Sequence, residues 1–500
     1  MVHRHQHQHQ LLIFPSSIRP FDLEYASSTV HEASPILTLS PSVQTSPTHS
    51  RITSCSSFTC QKLTPLPGKH HPRPLRHARH TFLNVYRRLF SIVFALNIIG
   101  VGVLFWRCDE DYNSVFLGHL ATAAAANIMV ALLARQDYVV NAMFKICWSV
   151  SLSAPLRLRR MLTKVYEYGG VHSGAAVMSV IWFALFTGFL TNQFVNHGQL
   201  TSPAVMTTAY ILLTLLICIV ITAYPRFRFS SHNTFENFHR WGGWFSLAIF
   251  WAELVLFTYD QTPHIGPALV KQPAFYFLLV SSVHTILPWL RLHKLYVIPE
   301  RLSNHAIRLH FTEPVPLFVG LRMSEAPLSE WHSFACIPAR SGPGGSVLIS
   351  NAGDWTKKTI HNPRPYYWVK GIPVTGVLCM ARIFRKVIVV TTGSGIGPCL
   401  AVIQDIPARG TNCRVIWSTP SPLQTYGSEI CDAVKAVDTE AVIIDTRKNG
   451  RPDLIAIAWD LYCREEAEAV FVISNPKLTR KVVYGLEARS VPAFGPIWDS

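Results

Sequence analysis

The segment Lys-Val-Ile-Val-Val-Thr-Thr-Gly-Ser-Gly-Ile-Gly-Pro occupies residues 386–398. Its first half is a run of β-branched residues, which is typical of a buried strand. Three glycines follow, at 393, 395 and 397, and the residues after them have a helical pattern. Glycines let the backbone approach a pyrophosphate closely, and the free N–H groups of a helix start attract anions. The segment therefore predicts a strand, a turn and a helix that bind a dinucleotide, with a purely structural tight turn as the alternative.

Three further buried strands follow this segment, and helical stretches separate them. They are Cys413–Ser418, Ala441–Asp445 and Ala469–Ser474. Strands that alternate with helices predict a parallel sheet whose faces the helices cover. We therefore place an α/β nucleotide-binding domain at residues 385–500.

Shorter segments upstream alternate between apolar and polar residues, as the half-buried strands of an antiparallel sheet do. The predicted strands are Ala306–Phe311, Leu317–Met323, Trp331–Ile337 and Ser346–Ser350. Turn residues separate them, as in the run Ser-Gly-Pro-Gly-Gly at 341–345. This pattern predicts a small antiparallel barrel at residues 293–384.

Six long apolar runs precede the barrel, and a helix needs about 20 residues to cross the hydrocarbon core of a bilayer. The runs are Leu89–Trp106, Val115–Ala134, Val171–Val195, Ala204–Tyr224, Trp241–Phe257 and Ala274–Leu290. They predict a polytopic helical membrane domain of six spans at residues 85–292. A further stretch, Tyr138–Leu156, is apolar but contains Asn141 and Lys145, so we interpret it as interfacial or re-entrant.

The distribution of charge supports membrane insertion and predicts its direction. Only 15% of the residues are charged, whereas soluble chains carry about 25%. The connection Asn196–Pro203 has no Lys or Arg, but the connection after the second span is basic, with Arg135, Lys145, Arg157, Arg159, Arg160 and Lys164. By the positive-inside rule, both termini lie in the cytosol. The net charge of +16 is therefore assigned to contact with the lipid bilayer and not to nucleic acid.

Residues 1–80 differ in composition from the rest of the chain. They begin with an alternating His/Gln run and continue rich in Ser, Thr and Pro. Such a segment cannot bury enough apolar surface to offset the entropy of ordering, so we predict a disordered tail.

The turn Thr-Thr-Gly-Ser-Gly-Ile-Gly-Pro at 391–398 resembles the nicotinamide-binding turn of the ferredoxin–NADP reductase superfamily, in its ferric reductase and NADPH oxidase branch. The resemblance implies FAD, and NADPH or NADH, as cofactors. Near the end, Ser-Asn-Pro at 474–476 stands where the family has Cys-Gly-Pro. The implied NAD(P) contacts are Thr392, Gly393, Ser394, Gly395, Ile396, Gly397, Pro398, Ser474, Asn475 and Pro476.

Other segments resemble the flavin-binding parts of the same family. Trp-His-Ser-Phe-Ala at 331–335 is similar to the His-Pro-Phe-Thr/Ser motif, with Ala335 in place of the hydroxyl residue, and Gly-Asp-Trp-Thr at 353–356 is similar to the segment beside the flavin diphosphate. The family's Gly-Pro-Tyr/Phe-Gly loop is altered at 371–376, and members often stack a terminal aromatic residue on the flavin. The implied FAD contacts are His332, Ser333, Phe334, Gly353, Asp354, Trp355, Thr356 and Trp498.

Three motifs narrow the resemblance. They are Gly-Gly-Val-His-Ser-Gly at 169–174, Phe-Glu-Asn-Phe-His-Arg-Trp-Gly-Gly-Trp at 235–244 and Gly-Pro-Ile-Trp-Asp-Ser at 495–500. Together they are most similar to the fungal TmpA-type transmembrane flavoprotein oxidoreductases, over residues 85–500.

The resemblance also raises the question of haem. The ferric reductase branch holds two haems between its third and fifth spans, and each helix supplies two histidines about 14 positions apart. Here His172 begins the third span and His239 precedes the fifth, at the same depth. A second pair of histidines would stand 14 positions further along each helix. Phe186 and Glu253 occupy these positions, and they do not replace histidines as a pair of haem ligands. The sequence therefore leaves two alternatives open: one haem b near the cytosolic face held by His172 and His239, or interfacial histidines that bond a lipid headgroup or a backbone carbonyl.

These features predict a membrane-bound flavoprotein oxidoreductase. Hydride would pass from NAD(P)H to FAD, and electrons would continue to an inner-face haem or to a small acceptor that the sequence does not identify. Arg414 and Arg447 lie near the strands that would bind the 2′-phosphate of NADPH. The sequence does not decide between NADH and NADPH. Two alternatives are a non-catalytic regulatory membrane protein derived from such a reductase, which the altered motifs favour, and a transporter or channel with a nucleotide-sensing domain.

Overall fold

The computed structural model describes residues 63–108, 114–197, 202–340 and 342–496. Within these residues, six helices are long and apolar enough to cross a membrane: Val85–Arg107, Val115–Leu133, Gly169–Asn196, Pro203–Thr222, His232–Gln261 and Pro273–Arg291. Each of them contains most or all of one predicted span. Large apolar side chains such as Ile99 and Ile221 are exposed on their outer faces, as lipid-facing residues are.

The helices of this first part are α1 Arg73–His77, α2 Val85–Arg107, α3 Ser114–Leu133, α4 Asp137–Trp148, α5 Leu156–Leu162, α6 Gly169–His197, α7 Pro203–Thr222, α8 Pro225–Ser230, α9 His232–Gln261, α10 Ile265–Leu269 and α11 Pro273–Ile286. A π-helical turn at Ala78–Phe82 and 3-10 turns at Thr163–Glu167 and Trp289–Arg291 extend or join them.

A polar network joins three of these helices inside the bundle. The Asn127 side-chain amide of α3 donates to Asn97 Oδ1 of α2 at 2.8 Å, and the Trp182 indole N–H of α6 donates to the same oxygen at 2.8 Å. Buried polar groups need hydrogen-bond partners within the protein. The network therefore fixes the relative positions of the first three candidate spans.

Helix α4 falls in the stretch that the sequence predicts as interfacial or re-entrant. In the structure, α4 packs against the part of the chain that follows the last candidate span. Phe144 is 2% exposed and belongs to the same core as Phe318. Asn141 donates to the Pro373 carbonyl at 2.9 Å and accepts from the Thr375 N–H at 2.8 Å. The apolar face of α4 therefore completes a protein core.

The basic residues that follow α4 also have protein partners. Arg159 of α5 forms a bidentate ion pair with Glu468, with N–O distances of 2.8 and 3.0 Å. Arg160 donates to the Glu468 carbonyl at 3.0 Å, and Lys164 Nζ lies 2.7 Å from a carboxylate oxygen of Glu487. The sequence assigns these three cations to the lipid surface. The structure instead pairs them with acceptors of the C-terminal domain, which no local pattern in the sequence reveals.

The second part is a nearly closed antiparallel barrel of eight strands in the order β1-β7-β4-β5-β6-β3-β2, with β8 paired to β4. Its elements are β1 His293–Tyr296, β2 Ile298–Arg301, β3 Ala306–Phe311, β4 Val319–Ser324, β5 His332–Pro338, β6 Gly345–Ser350, α12 Asp354–His361, β7 Tyr366–Val369, β8 Val374–Thr375 and a 3-10 helix at Val377–Ile383. The four predicted strands correspond to β3, β4, β5 and β6.

The third part is a parallel five-stranded sheet in the order β11-β10-β9-β12-β13, with helices between the strands. Its elements are β9 Lys386–Thr392, α13 Ile396–Arg409, β10 Asn412–Thr419, α14 Pro422–Val437, β11 Val442–Asp445, α15 Thr446–Asn449, α16 Leu454–Arg464, β12 Ala469–Ile473, α17 Pro476–Glu487 and β13 Ala493–Phe494. The strand order reverses beside β9, and such a switch point opens a crevice at the carboxyl ends of the strands.

The structure also describes residues 63–80, which fall inside the predicted tail. Thr64 donates its N–H and its hydroxyl to Asp460 Oδ1, at 2.9 and 2.7 Å. Arg489 donates to the Pro67 carbonyl at 2.7 Å. The part of the tail from Leu63 onward therefore lies on the C-terminal domain, because side chains of α16 and the α17 end supply its hydrogen-bond partners.

Candidate functional site

The glycine turn lies at the switch point of the parallel sheet. It follows β9 as a 3-10 turn at Gly393–Gly395, and α13 begins at Ile396. Gly393 has a φ of +54°, a conformation that favours glycine. A Cβ on Gly395 would lie 2.6 Å from both the Ile473 carbonyl and Thr391 Oγ1. The backbone therefore needs glycine here, and the free N–H groups of α13 face the end of the crevice.

The second predicted nicotinamide segment reaches the same place from β12. The hydroxyls of Thr392 and Ser474 are hydrogen bonded, so the two predicted loops meet across the switch point. Asn475, however, uses its side-chain oxygen to cap α17, accepting from the Leu478 N–H at 3.0 Å. Pro476 occupies the first turn of that helix. Ser474 is thus the residue of this segment whose side chain contacts the glycine turn.

The barrel contacts the glycine turn directly. Ser350, at the end of β6, donates its hydroxyl to Ser394 Oγ at 2.6 Å. A Cβ on Gly397 would lie 3.2 Å from Leu348 Cβ, so the start of α13 packs tightly on the same strand. These contacts bring the predicted nicotinamide turn beside the predicted flavin domain.

The flavin motif forms the start of β5, which we call the flavin-motif strand. The His332 ring lies 4.5 Å from the Trp355 ring, and the Phe334 ring stacks on Trp355 at 5.6 Å. The structure therefore brings two predicted flavin segments together. Trp355 Nε1 is buried and has no hydrogen-bond partner among the described residues. His332 Nε2 is buried as well and lies 3.6 Å from a carboxylate oxygen of Glu330, with which it forms an ion pair when protonated. A buried indole N–H without a partner fits a ligand that offers a hydrogen-bond acceptor.

The remaining predicted flavin residues have different roles. Thr356 caps α12, because its hydroxyl oxygen accepts from the N–H groups of Ala352 and Gly353 at 2.9 and 3.0 Å. Gly353 and Asp354 are exposed at the start of this helix, and so is Ser333 on its strand. Trp498 lies outside the described residues.

The altered loop at 371–376 has a structural explanation. Gly371 has a φ of +72° and donates its N–H to the Pro288 carbonyl at 2.9 Å, at the end of the last span. Asp137 of α4 and Arg322 of β4 form an ion pair beside Gly371, where a Cβ would contact both. The loop thus joins the barrel to the end of the last candidate span, and glycine at position 371 leaves space for the Asp137–Arg322 pair.

Lys370 is a residue of this junction that sequence reasoning missed. Its Nζ lies 4.4 Å from the Trp289 ring centre and 4.3 Å from that of Trp331. Burial, together with the charges of Arg322 and Arg240, lowers the pKa of Lys370 to about 7. The one signal for Lys370 in the sequence is its position beside the altered loop at 371–376. Its partners Trp289 and Trp331 are distant in sequence, so no local pattern indicates them.

The lowered pKa predicts a pH dependence of stability. An unfolded lysine binds its proton below about pH 10.4. Between that pH and about 7 the unfolded chain holds a proton that the folded chain lacks, so stability falls as the pH falls through this window. We expect the unfolding temperature of the wild type to rise from about pH 7 to about pH 9 by more than that of Lys370→Met. Lys358→Met, at an exposed lysine, is the control, and equal rises in wild type and Lys370→Met would contradict the prediction.

The two candidate haem ligands lie together between α6 and α9, and we call them the histidine pair. The ring centres of His172 and His239 are 6.2 Å apart. His172 Nδ1 is 2.9 Å from the Ala131 carbonyl, and His239 Nδ1 is buried without a hydrogen-bond partner among the described residues. The structure therefore brings the two predicted haem ligands together, and these two imidazoles are the side chains that would hold a haem iron.

One predicted role is not available to its residue. Arg414 forms ion pairs with Asp438, at 3.1 Å, and with Glu465. Its guanidinium is therefore committed to carboxylates, and a 2′-phosphate would have to displace them. Arg447, by contrast, is exposed at α15, immediately after β11.

A cavity of about 240 Å³ lies between the barrel and helices α13 and α14. Arg308, Arg340 and Gln404 are among its lining residues, and Glu429 pairs with Arg308 at 2.8 Å. It opens beside Pro338, at the opposite end of the flavin-motif strand from His332. The cavity is therefore separate from the site built around the glycine turn.

A family model described as "Adenylate-forming reductase 03009, C-terminal domain" matches residues 377–500. Adenylate-forming reductase 03009 of Coprinopsis cinerea is 43% identical over 441 residues, which are 87% of this chain and 42% of the relative. Adenylate-forming reductase 06235 of the same organism is 42% identical over 441 residues, with the same coverage of 87% and 42%. The chain thus spans less than half the length of these relatives.

Among solved structures, a ferredoxin NADP+ reductase from Neisseria gonorrhoeae with bound FAD and NADP is 13% identical, with a TM-score of 0.34, and covers 41% of this chain and 99% of its own. A flavohemoglobin from Malassezia yamatoensis with bound FAD and haem is 13% identical, with a TM-score of 0.37, and covers 74% and 98%. Over most of its length, the chain is similar to under half of two fungal proteins named adenylate-forming reductases.

Proposed function

We propose that this chain is a membrane-bound oxidoreductase that takes hydride from NAD(P)H to FAD and passes electrons to a haem at the cytosolic end of the bundle or to a small acceptor. The observation that carries the proposal is the meeting of the glycine turn, Ser474 and the barrel strand β6 at one switch point. The reductase names of the two curated relatives support the same class of reaction.

Different residues of the chain would bind the nicotinamide nucleotide and the flavin. The turn at Gly393–Gly395 and the start of α13 would bind the pyrophosphate of the nicotinamide nucleotide through backbone N–H groups. Trp355, whose buried indole N–H has no hydrogen-bond partner among the described residues, and the neighbouring His332 ring would hold the flavin ring. The flavin, when bound, supplies the conversion of a hydride into single electrons, and the protein supplies position and electrostatics.

A path from the flavin-motif strand to the histidine pair supports the haem part of the proposal. The Trp331 N–H, next to His332, donates to a carboxylate oxygen of Glu236 at 3.4 Å. Glu236 lies in α9 one turn before His239. One hydrogen bond and one turn of α9 thus separate the residue next to His332, the candidate flavin contact, from His239, the candidate haem ligand.

We also propose that electrons do not cross the bilayer. Phe186, where the resemblance would require a second haem ligand, is 1% exposed and packs on Phe183 and Phe257 at 5.3 and 5.6 Å. Glu253, at the matching position of α9, accepts from Thr208. Neither position holds a histidine, so no second pair of haem ligands stands at this level, and the electron acceptor would lie on the cytosolic side, together with both termini. A TmpA-type protein is the finer assignment that we propose.

The haem part is tested by absorption spectra of the purified full chain. His172→Ala and His239→Ala should each remove the Soret band while flavin absorption stays. His284→Ala is the matched control, because this histidine lies in another span and contacts its own helix through Val280. A Soret band that survives both substitutions would contradict ligation by the pair.

A second candidate function is a non-catalytic regulatory protein derived from such a reductase. The commitment of the 371–376 loop to the membrane junction and Ala335 in the flavin motif favour it. Oxidation of NADPH or NADH by the purified chain with an artificial acceptor separates the two. Turnover that Gly395→Ala abolishes supports the reductase, and absence of turnover in flavin-loaded protein supports the regulatory alternative.

A further inference from the structure

The fifth candidate span, α9, carries polar residues at intervals of seven. Ser246, Glu253 and Asp260 follow His239 in such steps. Seven residues make almost two helical turns, so these side chains lie along one side of α9 at intervals of about 10 Å. From His239 to Asp260 the helix rises about 30 Å, which is the thickness of the hydrocarbon core. We call Ser246, Glu253 and Asp260 the polar line.

Ser246 and Glu253, the two members of the polar line nearer to His239, are buried and incompletely hydrogen bonded. Ser246 is 4% exposed and Glu253 is 1% exposed. Ser246 Oγ and Glu253 Oε1 have no hydrogen-bond partner in the described part of the chain. A buried polar atom without a hydrogen-bond partner destabilises the folded protein. An ionisable residue within a membrane helix is costly as well, which makes it a functional candidate.

The helices around Glu253 add hydroxyl groups and no metal-binding cluster. Thr208 of α7 donates its hydroxyl to Glu253 Oε2. Two ring contacts join α6 to α9, one within the histidine pair and one between Phe183 and Phe250. In both contacts the two residues are 67 positions apart, so α6 and α9 run parallel. This offset puts the hydroxyl of Ser179, a residue 2% exposed, at the level of Ser246.

The chemistry of these groups suits a proton. Hard metal cations take about six or more oxygen ligands, and no group of three or more His, Cys, Asp or Glu side chains in residues 63–108, 114–197, 202–340 and 342–496 could hold a metal ion. A carboxyl group with one hydroxyl partner and one free oxygen can gain and release H⁺, and the serine hydroxyls at the next level both donate and accept.

We propose that the polar line conducts protons across the membrane, with Glu253 as the carboxyl group that takes up and releases each proton. The Glu253 carboxylate gains H⁺ from water on the Asp260 side and releases it to water on the Ser246 side, so no electron or other group moves. The proposal goes beyond the oxidoreductase activity and shares with it only the placement in the membrane.

Proton flux into vesicles tests this proposal. The purified full chain is reconstituted into phosphatidylcholine vesicles that contain a pH-sensitive dye, and a potassium gradient with valinomycin sets the membrane potential. We expect wild-type vesicles to acidify faster than protein-free vesicles, and Glu253→Gln to lower the protein-dependent rate at least about tenfold. Thr208→Val, which removes the hydroxyl partner, should lower it severalfold.

The matched control is Tyr259→Phe, at a 63% exposed position of the same helix, which should leave the rate unchanged. Wild-type vesicles that acidify no faster than protein-free ones would overturn the proposal, whether or not Glu253→Gln folds. Equal rates for wild type and Glu253→Gln, or a protein-dependent flux of Na⁺ in place of H⁺, would overturn it too. No nicotinamide nucleotide or flavin enters this assay, and flotation of the protein with the vesicles reports membrane placement separately.

Discussion

Gly395→Ala should lower NAD(P)H oxidation by about 100-fold. A methyl group at this position would lie 2.6 Å from the Ile473 carbonyl and from Thr391 Oγ1, both parts of buried strands that cannot move easily. The turn must therefore shift away from β12, and a displacement of about 1 Å at a binding group can cost about 100-fold in rate. The rate is measured with purified full chain, saturating flavin and an artificial electron acceptor.

The control for this prediction is Gly188→Ala, because a Cβ there meets no heavy atom within 4 Å. It should keep the wild-type rate. Flavin content and the unfolding temperature of Gly395→Ala show whether the rest of the molecule is intact. A Gly395→Ala protein that binds flavin and oxidises NADPH at the wild-type rate would show that the turn is structural only.

Arg159→Ala should destabilise the contact between α5 and the C-terminal domain by about 3–5 kcal/mol, the cost of removing one partner of a buried ion pair. The Arg159 and Glu468 side chains are only 5% and 17% exposed, and Arg159 also donates to the Ile383 carbonyl at 2.8 Å. Its loss leaves a carboxylate and a carbonyl without this partner. Thermal unfolding and limited proteolysis of the full chain in detergent measure the effect.

Two further variants sharpen this test. Arg159→Ala combined with Glu468→Gln should cost less than the sum of the single changes, because the two side chains share one interaction. Lys358→Ala, which removes an exposed partner of Glu325, should change stability by only about 0.5 kcal/mol. Additive effects of the Arg159 and Glu468 changes would contradict a direct coupling.

The Arg159–Glu468 pair also predicts an acid limit. Burial opposes ionisation of Glu468, but hydrogen bonds from Arg159 and from the Arg385 N–H prevail and hold the pKa of the carboxyl below its usual range. Stability from this pair is therefore present above about pH 4.3, the usual glutamate pKa, and is lost as the pH falls through the lower pKa of the folded state. The difference in the free energy of unfolding between wild type and Arg159→Ala should therefore become smaller as the pH falls through the same range.

Patterns in the sequence predicted the features that depend on local repetition. Long apolar runs indicate the spans, and alternation with turn residues indicates strands such as β3 and β6. The prediction that both helices begin at the same side of the bundle put His172 and His239 at one depth, and their rings are 6.2 Å apart. The convergence of Thr392 and Ser474 follows from parallel strand order, which places their loops at one edge.

Long-range partners were beyond such reasoning. Arg159 and Glu468 are 309 positions apart, and nothing near either residue indicates the other. The positive-inside rule counts Arg159, Arg160 and Lys164 only as cations, so it cannot tell a lipid headgroup from a carboxylate of the same protein. Lys370 lies beside Trp289 only because the barrel packs against the end of the helical part of the chain, 81 positions earlier in the sequence.

The absorption spectrum of the purified full chain, recorded without oxygen before and after NADPH is added, shows whether this protein is a flavin-dependent reductase. We expect a flavin band that bleaches on addition of NADPH, because β6 joins the glycine turn to the barrel and would hold the nicotinamide and the flavin at one site. Haem at the histidine pair would add a Soret band that shifts afterwards. A chain that shows no flavin absorption, even after incubation with FAD and removal of the excess, would contradict the claim.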